Sequence, residues 1–418
     1  MPFTARSDYY SCMNIFVIPS WYPSYDYPLN GVFIKEQAIG ICASNASINI
    51  GISLWGQKDK RYLLWAGEPL TSVKKLGTSP LKPGKHALLP NLVEYTKPAF
   101  TWTRKVAKGN IKAIIQANLY NIEAFKSDFG AVDLIQAHIG YPGGYIALEL
   151  SRRLHIPYVL TEHMEPFPSP YYVNKQGQLQ AFFKQAYSEA ATVIAVGQTL
   201  AATIHSLGIP HIQVLPNFVE ETFFKPHAAI KHTDRAFTFF TLGSIEPEKG
   251  IDQLLYAVQA LPKESKALFR IGGTGTHLQT YKTLTSQLGI SDKVHWLGEI
   301  SRKAALAEYQ QCDVFVLPSQ HESMGIVYAE AIACGKPIIS TRCGGPESIV
   351  TAQNGILVDK NNPLQLADAM QYMMRHIDDY DPSIIRKDFL ARFSKQAVIP
   401  RLLRVYENAI ATYKPYTT

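Results

Sequence analysis

The stretch from Pro318 to Ile349, PSQHESMGIVYAEAIACGKPIISTRCGGPESI, contains two glutamates, Glu322 and Glu330, with seven residues between them. The apolar run at 313–318 predicts a buried strand that ends where this stretch begins. The small residues at 328–334, followed by Gly-Lys-Pro, predict a short helix. The spacing therefore puts Glu322 in a strand-to-helix loop and Glu330 one to two turns into the helix.

The start of this helix also predicts an anion site. Its first backbone N–H groups have no partner within the helix, and the helix dipole favours a phosphate there. An ionised carboxylate accepts hydrogen bonds only, so a nearby glutamate can hold vicinal sugar hydroxyls. The combination suits a nucleotide-sugar, with backbone contacts expected from Met324, Gly325, Ile326 and Val327.

The same succession continues through a second strand to Gly344-Gly345-Pro346-Glu347. In this order the features resemble the donor site of retaining glycosyltransferases of family 4, which have the GT-B fold. The resemblance implies an α/β protein of two Rossmann-like, doubly wound domains that face each other across a cleft. It also implies that Glu322 binds the sugar and acts in catalysis, and that Glu330 binds the ribose. Taken alone, two glutamates at this spacing would more often be solvated or cap a helix.

A second stretch, Phe240 to Gly250 (FTLGSIEPEKG), resembles the diphosphate-binding loop of that family. Lys249 falls on the family's phosphate-binding lysine, which gives it a catalytic role. Ser244 falls where many members have arginine, and a serine cannot supply the missing positive charge. Three interpretations stay open: Lys249 and a helix N-terminus suffice, another cation reaches the site, or the activity is impaired. Without the resemblance, Lys249 would be a surface lysine.

Three further positions resemble donor contacts of the family. Gly298 and Ile300 follow a predicted strand in a region that lies near the base. Gly31 matches a glycine loop of the first domain that approaches the donor phosphates, where only glycine allows so close an approach.

Two histidines, His138 and His163, end predicted strands at 132–138 and 157–163. Open α/β sheets bind ligands at the carboxyl ends of their strands. His163 matches the family's strand-end histidine beside the reacting sugar and the acceptor, and we expect a catalytic role for it. His138 is a weaker candidate on the acceptor side. The alternative for both is a structural polar residue at a strand end.

Length and pattern agree with two domains. The chain has 418 residues, 46% of them hydrophobic, and strand and helix patterns alternate along it. The predicted first domain covers 13–226 and the nucleotide-sugar-binding domain 227–390, with a hinge at 224–233. We expect residues 391–418 to contain a helix that crosses back to the first domain. Residues 1–12 match no element, and we interpret them as a disordered leader or a start-site artefact.

A basic segment at 58–112 stands out in the first domain. It contains twelve basic and three acidic residues, a net charge of +9 against +7 for the whole chain, together with several aromatic residues. The pattern of Phe100–Ile115 predicts a basic amphipathic helix within it, and the segment suits an anionic membrane surface. The alternative is a solvated face; nucleic-acid binding is not predicted, because no groove-reading motif accompanies the charge.

The rest of the sequence predicts a cytoplasmic protein, peripheral on the inner face of the membrane. No apolar run approaches the roughly 18 residues of a membrane span, and no signal-peptide pattern is present. The five cysteines have no CxxC spacing, so neither a zinc site nor a disulfide framework is predicted.

The predicted reaction is transfer of a sugar from a UDP-sugar or GDP-sugar to an acceptor hydroxyl, with retention at the anomeric carbon. The acceptor would be a glycan or a lipid-linked molecule used in cell-surface polysaccharide or glycolipid synthesis. No cofactor or metal is expected, because Lys249 and the helix N-terminus would stabilise the departing diphosphate. Three alternatives remain: a GT-B sugar-nucleotide epimerase, a glycoside hydrolase using Glu322 and Glu330, and a degenerate protein that only binds nucleotide-sugars.

Overall fold

A computed structural model of the protein describes residues 12–103, 105–227 and 236–414. The predicted leader therefore lies outside the described residues except for Cys12, which is exposed, and so does most of the predicted hinge. The strands are β1 Met13–Pro19, β2 Ile48–Leu54, β3 Gly84–Leu89, β4 Leu92–Thr96, β5 Leu134–His138, β6 Tyr158–Glu162, β7 Thr192–Ala195, β8 Ile212–Val214, β9 Thr238–Leu242, β10 Leu268–Gly272, β11 Val294–Gly298, β12 Val314–Leu317, β13 Ile338–Thr341 and β14 Gly355–Val358.

The helices lie between these strands and after them. They are α1 Val32–Ser44, α2 Pro69–Thr78, α3 Ala107–Phe129, α4 Tyr145–Leu154, α5 Ala181–Ser188, α6 Gln198–Ser206, α7 Ile251–Ala260, α8 Leu278–Gln287, α9 Arg302–Gln311, α10 Ile326–Ala333, α11 Pro363–His376, α12 Pro382–Arg392 and α13 Lys395–Thr412.

The strands form two sheets. The first has the order β3-β4-β2-β1-β5-β6-β7-β8, and all its neighbours run parallel except the edge strand β3. The second, β11-β10-β9-β12-β13-β14, is parallel throughout. Helices cover both faces of such sheets, which is why central strands such as β5 and β12 are buried at every residue. The predicted pair of doubly wound α/β domains is confirmed.

Each sheet has one point at which the strand order reverses. In the first sheet this point lies between β1 and β5, and in the second between β9 and β12. Helices on either side of such a point leave in opposite directions, and the crevice at the carboxyl ends of the two strands is the usual ligand site. The predicted site residues lie at these points. Gly31 follows β1 and His138 ends β5, whereas Lys249 follows β9 and Glu322 follows β12.

The last helix returns to the first domain. Apolar residues of α13, among them Val398, Leu402 and Tyr406, share a buried cluster with Ile15 of β1 and Ile41 of α1. Burial of apolar side chains thus fixes the end of the described chain to the first domain.

The predicted amphipathic helix at Phe100–Ile115 is wrong in its first part. Between Phe100 and Val106 the described residues form no helix, Lys108–Asn110 have positive φ, and regular helical backbone begins at Ile111; Arg104 lies outside the described residues. Beyond them Ile111 and Ile114 are buried in the core, so the apolar positions of this stretch face inwards.

Candidate active site

The reversal point of the second sheet brings Lys249 and Glu322 together. Lys249 lies in a short 3-10 turn after β9, and its Nζ is 2.6 Å from Oε1 of Glu322, in the loop after β12. Gly250 makes this approach possible: its φ is +63°, and a Cβ there would lie 2.0 Å from the carbonyl oxygen of Pro318. No other residue type fits this position without moving the backbone.

The loop of Glu322 is held on both sides. The Ser319 hydroxyl donates to the Glu322 carboxylate at 2.9 Å, and the Gly345 N–H donates to the Glu322 carbonyl at 2.6 Å. A Cβ on Gly345 would lie 2.5 Å from the carbonyl oxygen of Met324, so the strand-end glycine is required for close packing of the two loops. The carboxylate is therefore preorganised.

Helix α10 begins directly after this loop. Gly325 is its N-cap residue, with φ at +80°, and Met324 before it is buried. Ile326 and Val327, the first helical residues, are half-buried. Since the side chain of Met324 points into the core, contacts with a ligand at this turn fall to the backbone N–H groups.

Glu330 lies further along α10 in a different environment. It is half-buried, and the Tyr309 hydroxyl donates to its Oε2 at 2.9 Å. Burial raises the pKa of Glu330 to about 7, against the lowering effect of the Tyr309 hydrogen bond and of Arg302. Arg302 also pairs with Glu36 of α1, so an ion pair between the domains lies beside this carboxyl.

The remaining predicted donor contacts surround the ends of β10 and β11. The Gly273 N–H donates to the Gly298 carbonyl at 2.7 Å, and Ile300 packs against Gly272. Ser244 is exposed after β9. An exposed serine leaves space where the family has arginine.

A histidine pair lies at the ends of β5, beside the reversal point of the first sheet, and of the neighbouring strand β6. His138 Nδ1 lies 2.9 Å from His163 Nε2, and both rings are buried. Burial lowers the pKa of His138 to about 3; burial and then His138 lower the pKa of His163 well below its usual value. Both rings are therefore neutral at physiological pH, and the outer nitrogens, His138 Nε2 and His163 Nδ1, have no hydrogen-bond partner.

The glycine loop contacts this pair. The ring of Phe33, at the start of α1, lies 4.6 Å from the His163 ring between centroids. Gly31 is the N-cap of α1 with φ at +70°, and a Cβ there would lie 2.5 Å from the carbonyl oxygen of Trp21. The buried Glu162 accepts from the His163 N–H at 2.8 Å, which fixes the backbone that carries the histidine.

The two reversal points meet across the cleft. The Ser323 hydroxyl donates to the His163 carbonyl at 2.9 Å, and Thr199 of α6 donates to the Gly344 carbonyl at 3.1 Å. A Cβ at Gly197 would lie 2.2 Å from the Ser323 carbonyl oxygen. His163 and the loop of Glu322 are thus part of one site built by both domains.

Sequence reasoning missed two charged groups in the cleft. Glu165, two residues after His163, is half-buried; burial and then Glu322 raise its pKa to about 7. Lys360 acts on the same carboxyl, and its Nζ is 3.4 Å from the Gln320 carbonyl oxygen. The position of Glu165 at a strand end was a usable signal, whereas nothing in the local pattern marks Lys360.

Neither a cluster of metal ligands nor a membrane-spanning helix occurs in the described ranges. Residues 12–103, 105–227 and 236–414 contain no group of three or more His, Cys, Asp or Glu placed to hold a metal ion. None of the helices in those ranges is both long and apolar enough to cross a bilayer.

The fold and the cleft define a class of protein, and comparison with known families agrees. Residues 96–223 match the Glycosyltransferase Family 4 model, and residues 223–381 match the model of glycosyl transferases group 1. The chain is 28% identical over 380 residues to TuaC of Bacillus subtilis, a glycosyltransferase assigned to teichuronic acid biosynthesis; the match covers 86% of this chain and 88% of TuaC.

Solved structures give the same fold. Sucrose-phosphate synthase from Thermosynechococcus elongatus superposes with a TM-score of 0.73 at 16% identity, covering 96% of this chain and 99% of the synthase. HepE of Anabaena, in complex with UDP, gives 0.67 at 16% identity, covering 94% and 99%. The chain is a glycosyltransferase of GT-B type, similar to family 4.

Proposed function

We propose that the protein transfers a hexose from a nucleoside-diphosphate-sugar to an acceptor hydroxyl with retention of anomeric configuration. The contact between Lys249 and Glu322, 2.6 Å across the reversal point of the second sheet, carries this proposal. A lysine beside a sugar-binding carboxylate joins a diphosphate site to a hydroxyl site, which is what a nucleotide-sugar requires.

In the proposed reaction the donor binds between Lys249 and Glu322 and separates their ion pair. Lys249 moves onto the diphosphate, where the N-terminus of α10 adds its N–H groups, and Glu322 accepts hydrogen bonds from the sugar. The C–O bond to the diphosphate breaks, the acceptor oxygen bonds to the anomeric carbon on the same face, and a phosphate oxygen takes the acceptor proton. Lys249 and the N–H groups of α10 stabilise the negative charge of the departing diphosphate, so the proposed step uses no metal.

Glu330 and the loop at Gly298 and Ile300 would bind the nucleoside. The carboxylate of Glu330 can accept from a ribose diol when it is ionised, and backbone groups near Gly298 can contact the base. UDP and GDP conjugates are both candidates, and the complex of HepE with UDP supports a uridine nucleotide.

The histidine pair would form the acceptor side. His163 lies beside the loop of Glu322, and its unpartnered Nδ1 can exchange a hydrogen bond with the acceptor. His138 acts through His163, because the buried His138 ring lies at hydrogen-bonding distance from the His163 ring. By its likeness to TuaC we propose a glycan or lipid-linked acceptor in cell-surface polysaccharide synthesis.

We also propose that the protein works in the cytoplasm, peripheral on an anionic membrane face through the basic segment 58–112. The net charge of +9 supports this, since anionic lipid attracts exposed lysine and arginine. A lipid-linked acceptor would be met at such a surface.

A ligand-stabilisation screen tests the donor side. UDP, GDP and their hexose conjugates should raise the unfolding temperature selectively, because a ligand that binds only the folded state stabilises it. NMR of the product formed from the best donor and an alcohol acceptor should show the donor's anomeric configuration. An isomerised donor without acceptor would favour an epimerase, and binding without turnover would favour the degenerate alternative to which the missing arginine at Ser244 points.

A further inference from the structure

Helix α2 has its apolar face turned outwards. Leu70, Val73 and Leu76 recur at three-residue spacing and so share one side of the helix. Their exposed fractions are 86%, 67% and 53%, and none of the ten helical residues is buried. A surface helix of a globular protein normally turns such a stripe towards the core.

Hydrogen bonds on the opposite side fix this orientation. The Ser72 hydroxyl accepts from the Trp65 N–H at 2.9 Å and lies 3.0 Å from the Trp65 carbonyl oxygen. Lys75 donates to the Leu63 carbonyl at 3.0 Å, and Ser79, after the helix, donates to the Arg61 carbonyl at 2.8 Å. The polar side of α2 is therefore bound to the protein, and the apolar side cannot turn inwards without breaking these bonds.

Exposed apolar residues also occur in the chain on both sides of the helix. Trp65 and Leu63, in the loop bonded to the polar side of α2, are 61% and 43% exposed. After the helix, Leu81 borders an open cavity of about 760 Å³ that Phe100 and Tyr120 also line. We call Leu70, Val73 and Leu76 the α2 face.

Positive charge surrounds the α2 face. Residues 58–85 contain seven basic and two acidic residues, a net charge of +5. Lys74 lies on α2 and Lys82 follows it, and both are exposed. A second copy of the chain would bring the same charge against itself, because a two-fold interface places identical patches together. The charge instead complements an anionic surface.

We propose that the α2 face inserts into the headgroup region of an anionic membrane. An interfacial helix of this kind buries apolar side chains at the acyl boundary while basic residues contact the headgroups. This inference deepens the peripheral association proposed above: it assigns the contact to α2, and it adds an apolar component that salt does not screen.

Co-sedimentation with vesicles tests the proposal. The full chain is mixed with vesicles of phosphatidylcholine, or of equal parts phosphatidylcholine and phosphatidylglycerol, at low and high salt. Leu70→Gln/Val73→Gln/Leu76→Gln should lower partition onto anionic vesicles by about tenfold or more, and most strongly at high salt. Lys74→Gln/Lys82→Gln should lower it several-fold at low salt only. Leu364→Gln/Ile384→Gln, exposed apolar positions of the second domain, is the matched control and should behave as wild type.

A second measurement locates the insertion. An environment-sensitive fluorophore on Val73→Cys, in a Cys12→Ser background because the other four cysteines are buried, should shift to the blue on anionic vesicles. The same label on Leu364→Cys should not. Wild-type partition by the triple variant, or no shift at position 73, would overturn the proposal. The proposal would also be overturned if the wild-type protein were a dimer in solution and the triple variant a monomer. Transfer to a soluble acceptor should be unchanged in the triple variant, which keeps this test separate from that of the transferase.

Discussion

The two reversal points of the molecule are built alike and charged differently. At the end of β9 and β12 an ammonium and a carboxylate stand 2.6 Å apart, partly exposed. At the end of β5, the strand at the first reversal point, and of its neighbour β6, two buried histidines are hydrogen-bonded at 2.9 Å with their pKa values lowered, so that neither carries charge. One topology thus supplies a charged half-site and a neutral one.

The difference matches the chemistry of the two substrates proposed. A nucleoside diphosphate brings negative charge and hydroxyl donors, and needs a cation and a carboxylate. An acceptor alcohol is neutral and must lose a proton in the reaction, and a protonated imidazole has no nitrogen lone pair left to accept a hydrogen bond from it. The neutral pair keeps an imidazole nitrogen able to accept.

Loss of Lys249 from the charged half-site should have the largest effect on activity. Lys249→Ala removes the formal positive charge from the phosphate site, and we expect kcat for sugar transfer to fall about a hundredfold to a thousandfold. Lys249→Arg should retain part of the activity, and Lys263→Ala, at an exposed position of the same domain, should retain all of it. Near-normal turnover by Lys249→Ala would show that another cation, with Lys360 as the first candidate, holds the diphosphate.

Substitution of Glu322 and of Glu330 should change different kinetic constants. Glu322→Ala should mainly lower kcat, because it acts on the sugar at the reacting centre, whereas Glu330→Ala should mainly raise KM for the donor. Loss of charge-assisted hydrogen bonds of this kind costs on the order of 1.5 to 3 kcal/mol, or roughly tenfold to a hundredfold. Steady-state kinetics with varied donor measures both. The reverse pattern, or unchanged kinetics in both folded variants, contradicts the assignment.

Restoring the missing arginine should strengthen the charged half-site. Ser244→Arg has room, because Ser244 is exposed, and should tighten binding of UDP or GDP by roughly 1 to 3 kcal/mol. Calorimetric titration measures it, with Ser286→Arg, an exposed serine on α8, as control. Turnover need not rise, since tighter product binding slows release. Abolished nucleotide binding in a folded Ser244→Arg protein would mean that another group already occupies the place.

The smallest effect expected is on stability. The pKa of Glu330 is raised from its ordinary value of 4.5 to about 7 in the folded protein, so this carboxyl lowers stability progressively as pH rises from about 4.5 to 7 and by a constant amount above that. Glu330→Gln should therefore have a larger free energy of unfolding than wild type at pH 8, by about 1 to 2 kcal/mol after allowance for partial exposure. The difference should shrink towards pH 5. Denaturant titrations at the two pH values check this, and an equal difference at both would show that the pKa of Glu330 is the same in the folded and unfolded protein.

Much of the second domain could be predicted from local pattern. The apolar run ending at Pro318, the small-residue helix after it and the glycine-rich loops encode strand, turn and helix directly, and their order places Glu322 at a strand end. The role of Lys249 is predicted instead from the resemblance of its loop to the family's diphosphate-binding loop. That Gly345 holds the loop of Glu322, or that Lys360 lies in the cleft, depends on loops far apart in sequence, and local sequence patterns do not encode such contacts.

The sequence by itself determined the two α/β domains, the loop of Glu322 and the basic character of the first domain, because strand and helix periods and charge are written in neighbouring residues. Only the tertiary structure decided which groups meet: Lys249 with Glu322, His138 with His163, and Ser323 with the His163 carbonyl. It also decided which way helices turn. The stripes at Phe100–Ile115 and on α2 have similar periods, but Ile111 and Ile114 face the core while Leu70 and Val73 face solvent. Periodicity tells which residues share a face, whereas the hydrogen bonds of Ser72 and Lys75 to the neighbouring loop determine where that face points.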